Sequence, residues 1–404
     1  MDSRLYSIFE KELNDLKNND LLRSLKTIEG RNEKHVVYND IEMLNLSSND
    51  YLGLATDKNL HENFFKKITG GNIVDSFGMG SSSSRLLTGD YTIYSELEEK
   101  ISRLYNDALI ETSPQADKKK ALVFNSGYHA NTGIIPAISG REDLILSDRL
   151  NHASIIDGIR LSGSDCIVYD HCNHEEIIKI LEEKRGDYKN VIIISESIFS
   201  MDGDICDIRK MVEIKNNFNA LLYIDEAHAF GIFGANGLGI CEDVNVIDDV
   251  DIIVGTFGKA LASIGAFALA VPIIKDYLIN RMRTLIFTTS LPPVIVNWNL
   301  HNIERFSSLK DKADKLLHVA GKLNRAFKDE GIKTLGNSQI LPVVIGSNKK
   351  AVDAAGTLQE SGYLLFPIRE PTVPKDSSRI RISLTSNVEW DDIKDIPHII
   401  KEII

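Results

Sequence analysis

The chain has few of the residues that mark stapled mini-domains and metal ribbons. Its 404 residues include only four cysteines, ten prolines and two tryptophans. The cysteines, at positions 166, 172, 206 and 241, form no C-x-x-C pair, which argues against a zinc ribbon or a thioredoxin-type centre. A chain of this length can bury a large core without disulfides or metal ions. Sparse, unpatterned cysteine is typical of a reducing compartment, so we predict a cytoplasmic location.

Positive charge is scarce too, and no apolar run suits an export signal or a membrane span. Lys and Arg total 46 against 58 Asp and Glu, a formal net charge of −12, whereas nucleic-acid-binding proteins normally present a basic face. The first 25 residues lack the apolar core of an export signal. The longest apolar stretch, residues 252–274, contains Lys259 and three glycines. We therefore predict two buried strands around a turn there, rather than a membrane helix.

Apolar strand-like runs alternate with helical patterns from about residue 50 to residue 290. Continuous apolar runs of this kind are typical of parallel strands buried on both faces of a sheet. We predict an α/β fold with a mostly parallel central sheet covered by helices, in a large domain of residues 50–290. Residues 1–49 form an N-terminal segment that begins with an amphipathic helix, and residues 291–404 form a smaller α+β domain. The clearest strands of the large domain are 121–124, 144–146, 191–194, 221–224 and 251–254.

Polar and titratable residues follow each of these five strands. Because ligands gather at the carboxyl ends of strands in open α/β sheets, the five strand ends predict one shared site. Lys259 stands out because long apolar flanks surround it. A lysine in a loop usually reaches solvent, but desolvation favours the neutral amine that attacks carbonyl groups. The functional interpretation of Lys259 is therefore a lysine that forms a Schiff base.

Asp225 follows the strand 221–224 and opens the sequence Asp-Glu-Ala-His, which allows three interpretations. The aspartate could cap the next helix. The sequence is also similar to the Walker B segment of a helicase-type ATPase, but the chain contains no G-x-x-x-x-G-K-[ST] phosphate loop. Third, Asp225 could face the ring nitrogen of pyridoxal phosphate while Lys259 holds its aldehyde, with His228 near the phenolic oxygen. Residues 171–174 offer two histidines and a cysteine, but Asn173 is better explained as a helix N-cap, so we predict no metal site.

Taken together, the motifs resemble those of the α-oxoamine synthases, a pyridoxal phosphate family of aminotransferase-like fold type I. They occur in family order across nearly the whole chain. The matching stretches are 46–54, 84–89, 125–131, 148–154, 200–204, 225–228, 256–259, 287–293 and 371–374.

The resemblance implies a pyridoxal phosphate enzyme that condenses an amino acid with an acyl thioester and releases CO₂. It implies catalytic roles for Lys259, which carries the cofactor and moves the α-proton, for Asp225 at the ring nitrogen, and for His152, which stacks on the ring. It implies a homodimer with shared sites, in which Thr288 or Thr289 reaches the phosphate bound in the neighbouring subunit. The other implied cofactor contacts are Gly127, Tyr128, Glu196, Ser200, His228 and Thr256, and the implied substrate contacts are Arg23, Asn49, Arg369 and Thr372.

The segment 368–374 is most similar to members of the family that act in biotin synthesis. Those members join L-alanine to a pimeloyl thioester, carried by CoA or acyl carrier protein, and form 8-amino-7-oxononanoate. Two residues depart from their pattern: Glu370 stands where they carry proline, and Phe230 stands where they carry threonine. Members that use glycine or serine instead of alanine are the alternative.

Overall fold

The computed structural model describes residues 3–70, 76–112 and 118–404. Its residues group into two compact units. The terminal unit comprises Met1–Thr56, Met201–Asp204 and Lys315–Ile404, and the central unit comprises Asp57–Ser200 and Ile205–Asp314. The predicted domain divisions after residues 49 and 290 stay predictions. Within the described ranges, no helix combines the length and apolar character that a membrane span requires.

The strands fall into three sheets, and most of those predicted from sequence are present. In chain order they are β1 Gly30–Asn32, β2 His35–Tyr38, β3 Ile41–Asn45, β4 Lys120–Phe124, β5 Leu144–Asp148, β6 Asp165–Tyr169, β7 Val191–Glu196, β8 Leu221–Asp225, β9 Ile252–Thr256, β10 Ala266–Ala270, β11 Ile340–Gly346, β12 Tyr363–Leu364, β13 Pro367–Ile368 and β14 Ser378–Ser383.

Helices separate the strands along the chain, as an α/β fold requires. In chain order they are α1 Ser3–Asn18, α2 Lys58–Gly70, α3 Thr92–Thr112, α4 Gly127–Ile138, α5 Ala153–Ser162, α6 His174–Lys184, α7 Ile208–Phe218, α8 Ile240–Asp243, α9 Pro272–Arg281, α10 Arg283–Ile286, α11 Pro293–Glu304, α12 Lys310–Asp329, α13 Asn348–Glu360, α14 Trp390–Ile393 and α15 Ile396–Ile403.

The central unit is built on a seven-stranded sheet of order β4-β10-β9-β8-β7-β5-β6. Strands β9, β8, β7, β5 and β6 pair in parallel, and nearly all their residues are buried except on the edge strand β6. Such continuous burial explains why the apolar runs predicted these strands. The predicted α/β fold with a mostly parallel central sheet is confirmed.

Strand β10 is the exception in this sheet, because it runs antiparallel to both of its neighbours, β4 and β9. Residues 257–265 connect β9 to β10, and a parallel crossover would need a dozen residues or more. The short connection therefore turns back at the carboxyl end of β9 and carries Lys259 there. The predicted pair of buried strands in residues 252–274 is thus confirmed as a hairpin.

The terminal unit has two small sheets. One has the order β1-β2-β3-β12, in which β12 pairs in parallel with β3 although more than 300 residues separate them. The other, of order β11-β14-β13, is antiparallel. Helix α13 packs on both sheets. The predicted N-terminal helix, the helix at residues 310–329 and the α+β pattern after it are all present.

Candidate active site

A cavity of about 160 Å³ opens at the carboxyl edge of the central sheet. The residues that line it lie at or after the ends of five strands, β4, β5, β7, β8 and β9. This confirms the prediction that the polar residues at these strand ends share one site. Cavities on the order of 150 Å³ can hold a benzene-sized ring. The lining residues are Gly127, Tyr128, Asn131, His152, Ser154, Glu196, Asp225, Ala227, Thr256 and Lys259.

Asp225 ends β8 and is only 5% exposed. Its Oδ1 accepts a hydrogen bond from the backbone N–H of Ala227 (2.9 Å), and its Oδ2 accepts one from Nδ2 of Asn131 (2.8 Å). The helix-cap interpretation of Asp225 is therefore insufficient, because one carboxylate oxygen is held by a side chain that also lines the cavity.

Glu196 ends β7 and lies in register with Asp225 on the neighbouring strand. It is 2% exposed, and its Oε1 accepts a hydrogen bond from the backbone N–H of His152 (2.6 Å). Burial and the negative charge of Asp225 raise the pKa of Glu196 well above its ordinary range, against a smaller opposing effect of Lys259. Glu196 is therefore the carboxyl group of the pair that keeps its proton.

His152 is the N-cap of α5, and its Nδ1 accepts a hydrogen bond from the backbone N–H of Ser154 (3.2 Å). Burial lowers the pKa of His152; the charge of Asp225 opposes this effect and that of Lys259 adds to it. The imidazole is thus neutral at pH 7 and offers a flat apolar face. Its ring lies 6.5 Å from that of Tyr128, centroid to centroid, in an edge-on arrangement.

Lys259 lies in the connection between β9 and β10, and its side chain is half-buried at the cavity. Lys259 lowers the pKa of His152 and opposes the rise in the pKa of Glu196, so its amine lies near both groups. Thr256, at the end of β9, is buried, and its hydroxyl donates to the carbonyl oxygen of Gly265 (2.9 Å). This hydrogen bond ties the end of β9 to the far end of the turn that carries Lys259.

The N-terminus of α4 forms one end of the cavity. Ser126 caps this helix, and its Oγ accepts a hydrogen bond from the backbone N–H of His129 (3.2 Å). A Cβ atom added at Gly127 would meet only Cβ of Thr256, at 4.0 Å, so the glycine leaves a space that a side chain would fill. Free N–H groups at a helix N-terminus bind phosphate, and the missing side chain lets a ligand approach them. These residues fit a phosphorylated ring.

Four predicted cofactor contacts do not line this cavity among the residues that the structure describes. His228 is buried, Ser200 and Thr288 are half-buried, and Thr289 is exposed. The amide of Asn125, just after β4, donates to the carbonyl oxygen of Thr289 (2.7 Å). The roles predicted for these four residues stay predictions.

Three predicted substrate contacts line a second cavity, of about 570 Å³, within the terminal unit. There Nη2 of Arg23 donates to Oγ1 of Thr372 (3.0 Å), and the guanidinium of Arg369 donates to the carbonyl oxygen of Asp20. Burial and the nearby charge of Arg23 lower the pKa of Arg369. Arg23 and Arg369 place two positive guanidinium groups at one cavity, which favours an anionic ligand there.

Asn49, the fourth predicted substrate contact, is not among the residues that line the second cavity. Its Oδ1 accepts hydrogen bonds from Nη2 of Arg381 (3.2 Å) and from the hydroxyl of Tyr51 (3.2 Å).

Phe230, one of the two departures from the family pattern, is buried between Phe267 and Phe306 and packs in the core.

Two alternative interpretations can be compared with the geometry. Glu226, which a helicase-type ATPase would use in catalysis, is fully buried; it accepts hydrogen bonds from the backbone N–H groups of Ile240 (3.1 Å) and Cys241 (2.7 Å). It therefore caps α8 and has a structural role.

Asn173 is the N-cap of α6, as predicted. Ligand-type atoms of Asp148, His171 and Cys172 lie within 4.8 Å of one another, but Asp148 already accepts hydrogen bonds from Nδ1 of His171 and from the backbone N–H of Cys172.

Sequence reasoning missed Asn131, Ser154 and Ala227 as lining residues. Asn131 is 1% exposed on a helix whose neighbouring buried residues are Ala130, Ile134 and Ile135. The one available signal was a polar residue on the buried stripe of α4, one turn after Gly127.

Comparisons with known proteins agree with this geometry. Residues 41–396 match the model of the family described as "Aminotransferase class I and II". The 8-amino-7-oxononanoate synthase of Chlorobaculum parvum is 44% identical over 371 residues, which are 92% of this chain and 92% of that protein. The 8-amino-7-oxononanoate synthase of Haemophilus ducreyi is 43% identical over 387 residues, 95% of this chain and 97% of that protein.

Solved structures share the fold. A serine palmitoyltransferase from S. paucimobilis, solved with PLP and myriocin bound, superposes with a TM-score of 0.88 at 24% identity, over 100% of this chain and 98% of that chain. An 8-amino-7-oxononanoate synthase from Francisella tularensis superposes with a TM-score of 0.74 at 26% identity, over 89% of this chain and 97% of that chain. The family match and the relatives show that the chain belongs to the aminotransferase class I and II family and, within it, to the α-oxoamine synthases that its motifs resemble.

Proposed function

We propose that the chain is a pyridoxal phosphate-dependent C-acyltransferase of biotin synthesis, which condenses L-alanine with a pimeloyl thioester. The products are 8-amino-7-oxononanoate, CO₂ and the free thiol. The observation that carries the proposal is the placement of Lys259 opposite two buried carboxyl groups in one cavity. Relatives at 43 and 44% identity over nearly the whole chain bear the name of this activity.

The cofactor fits the cavity at three points. The helix N-terminus at Gly127 provides space and N–H groups for a phosphate, Asp225 provides a carboxylate for a ring nitrogen, and Lys259 provides an amine for an aldehyde. Bound pyridoxal phosphate supplies an electron sink that stabilises negative charge at the α-carbon of an amino acid.

Lys259 has two tasks. Its amine would hold the aldehyde carbon of the bound cofactor, and the same amine would take the proton from the α-carbon of the amino acid. Both tasks require the neutral form of the amine. The short connection between β9 and β10, tied down by Thr256, keeps Nζ at the carboxyl edge where the substrate binds.

The two carboxyl groups divide the proton work. Asp225 would hold the ring nitrogen of the bound cofactor, while the raised pKa of Glu196 favours a neutral acid that adds no second negative charge. His152, neutral and flat, packs against the ring face and excludes water. Tyr128 and Thr256 border the phosphate end beside Gly127.

The substrate contacts are proposed from the resemblance and from the chemistry of the second cavity. Arg369 and Asn49 bind the carboxylate of the amino acid, and a guanidinium suits that task because it donates two parallel hydrogen bonds. Arg23 and Thr372 contact the acyl substrate. The bond between Arg23 and Thr372 supports a shared role for these two side chains.

Product analysis tests the proposed reaction. Purified protein, saturated with pyridoxal phosphate, is incubated with pimeloyl thioester and with alanine, glycine or serine in turn, and the products are identified by mass spectrometry. The proposal predicts 8-amino-7-oxononanoate and CO₂ from alanine, with CoA and carrier-protein thioesters compared directly. Turnover with glycine or serine and none with alanine would assign the chain to the sibling activities instead.

Assembly and location are further proposals. The resemblance supports a homodimer whose sites are shared, with Thr288 or Thr289 reaching the phosphate of the neighbouring subunit; light scattering after size exclusion tests the dimer. The sparse, unpatterned cysteines support a cytoplasmic location.

A further inference from the structure

We infer that Asn131 is a positioning residue whose single carboxamide holds one oxygen of Asp225 and fixes the tautomer of His152 at the same time. The inference rests on the proposed function, because it concerns the same cavity. Asn131 lies on α4, four residues after Gly127, so one helix supplies both the phosphate end of the cavity and this carboxamide.

The orientation of the carboxamide follows from Tyr223. Both side chains are 1% exposed, and the hydroxyl of Tyr223 lies 2.5 Å from Oδ1 of Asn131. Burial raises the pKa of Tyr223 well above its ordinary value, so the phenol keeps its proton and donates it. Oδ1 is therefore the acceptor, and Nδ2 points the other way.

The amide nitrogen donates two hydrogen bonds. Nδ2 of Asn131 lies 2.8 Å from Oδ2 of Asp225 and 2.9 Å from Oγ of Ser154, so both of its N–H groups have partners. Asp225 also accepts from the backbone of Ala227 through its other oxygen. Both carboxyl oxygens of Asp225 therefore have donors, which hold the group in one orientation.

The second hydrogen bond determines the state of His152. Because Oγ of Ser154 accepts from Asn131, its own proton is directed to Nδ1 of His152, 2.8 Å away. The backbone N–H of Ser154 also donates to this nitrogen (3.2 Å). Nδ1 is therefore an acceptor, which makes the imidazole neutral with its proton on Nε2.

Among the described residues, the titratable groups near Asp225 include Glu196 on β7, Tyr223 on β8, His152 before α5, and Lys259 in the connection between β9 and β10. Glu196 is buried beside Asp225 in register, and burial and the charge of Asp225 raise its pKa. Asn131 donates to Asp225, whereas the backbone N–H of His152 donates to Glu196, so the two carboxyl groups have different partners.

The test compares three variants with the wild type. Asn131→Leu keeps a side chain of similar size and removes all three hydrogen bonds. Asn131→Asp keeps an acceptor for Tyr223 but places a carboxyl oxygen against Asp225. Asn106→Leu is the control, because it removes two hydrogen bonds to Lys119 outside the cavity. The probe is pyridoxine 5′-phosphate, which has the ring nitrogen but no aldehyde, so its binding does not depend on the chemistry of Lys259.

We expect Asn131→Leu to weaken binding of the probe about ten- to hundredfold, as loss of a hydrogen bond to a charged group does. The absorption and fluorescence of the bound probe should shift towards the form with an unprotonated ring nitrogen. In an Asp225→Asn background, Asn131→Leu should have little further effect, because the two residues act as one unit. Asn106→Leu should match the wild type in both measurements.

Wild-type affinity and an unchanged probe spectrum in Asn131→Leu would overturn the inference. If that variant does not fold, Asn131→Asp decides between the same outcomes, since it preserves size and the contact with Tyr223. Absence of probe binding by the wild-type protein would instead contradict the proposed function itself.

Discussion

Glu196 and Asp225 end two neighbouring parallel strands in register, so two buried carboxyl groups border one cavity. Burial and the charge of Asp225 raise the pKa of Glu196. Asp225 accepts hydrogen bonds from Asn131 and Ala227, whereas Glu196 accepts one from His152. The two carboxyl groups therefore differ in their donors, and Glu196 is the one whose pKa is raised.

This division predicts opposite results for two amide substitutions. Glu196→Gln replaces a neutral acid with a neutral amide that can still accept from His152, so we expect kcat within about threefold of wild type. Asp225→Asn removes the charge at the ring nitrogen and should lower kcat about a hundredfold or more. Steady-state kinetics at saturating cofactor distinguish them. Equal losses in both variants would contradict the assignment of the proton.

The raised pKa of Glu196 also predicts a pH dependence of stability. In the unfolded chain Glu196 loses its proton above pH about 4.3, whereas in the folded protein it keeps it. The contribution of Glu196 to the free energy of unfolding is therefore fully present below pH about 4.3. It is lost as the pH rises towards the pKa that Glu196 has in the folded protein.

The glutamine of Glu196→Gln cannot ionise, so this variant does not lose stability in the same way. Its melting temperature should therefore rise relative to that of the wild type between pH 5 and pH 8. Thermal unfolding of the cofactor-free proteins measures the difference. The exposed Glu142→Gln is the control and should follow the wild type at every pH. A constant difference between Glu196→Gln and wild type across this range would show that Glu196 is ionised in the folded protein.

Gly127→Ala tests whether the space beside the helix N-terminus is needed for binding the phosphate but not for the stability of the fold. The new Cβ would meet only Cβ of Thr256, at 4.0 Å, so we expect the unfolding free energy to change by no more than about 0.5 kcal/mol. Cofactor affinity should fall about tenfold or more, because the methyl group occupies the approach to the helix N-terminus. Gly140→Ala, at a glycine with no atom within 4 Å of its added Cβ, is the matched control and should bind normally.

Arg369→Lys tests the proposed site for the amino acid carboxylate. Lysine keeps the charge but cannot donate two parallel hydrogen bonds, so KM for alanine should rise about tenfold or more while cofactor binding is unchanged. Arg209→Lys, an exposed arginine in α7, is the control. An unchanged KM in Arg369→Lys would remove this residue from the site.

The sheet and part of the cavity were predictable from sequence because burial leaves a direct mark on it. Strands β5, β7, β8 and β9 begin with apolar runs, and the polar residues at and after their ends stand out. Strand β6 was missed because it lies at the edge of the sheet and is mostly exposed. The pairing of β12 with β3 joins distant segments, which no local pattern encodes.

The side-chain network behind Asp225 was not predictable in the same way. Asn131 reads as an ordinary polar residue until the fold shows that it faces Tyr223, Asp225 and Ser154. The protonation of Glu196 likewise depends on the register of β7 and β8, which places the two carboxyl groups side by side.

The central claim is that Lys259 holds the cofactor by its amine, and reduction with borohydride tests it most directly. Protein saturated with pyridoxal phosphate is reduced, digested and mapped by mass spectrometry, with Lys259→Ala treated in parallel. Lys275→Ala is the control, because Lys275 lies on α9, pairs with Glu98 and does not line the cavity. The account predicts one phosphopyridoxyl group per chain, on Lys259, in the wild type and in Lys275→Ala, and none at that site in Lys259→Ala. A modification spread over exposed lysines, or absent from Lys259 at saturation, would contradict it.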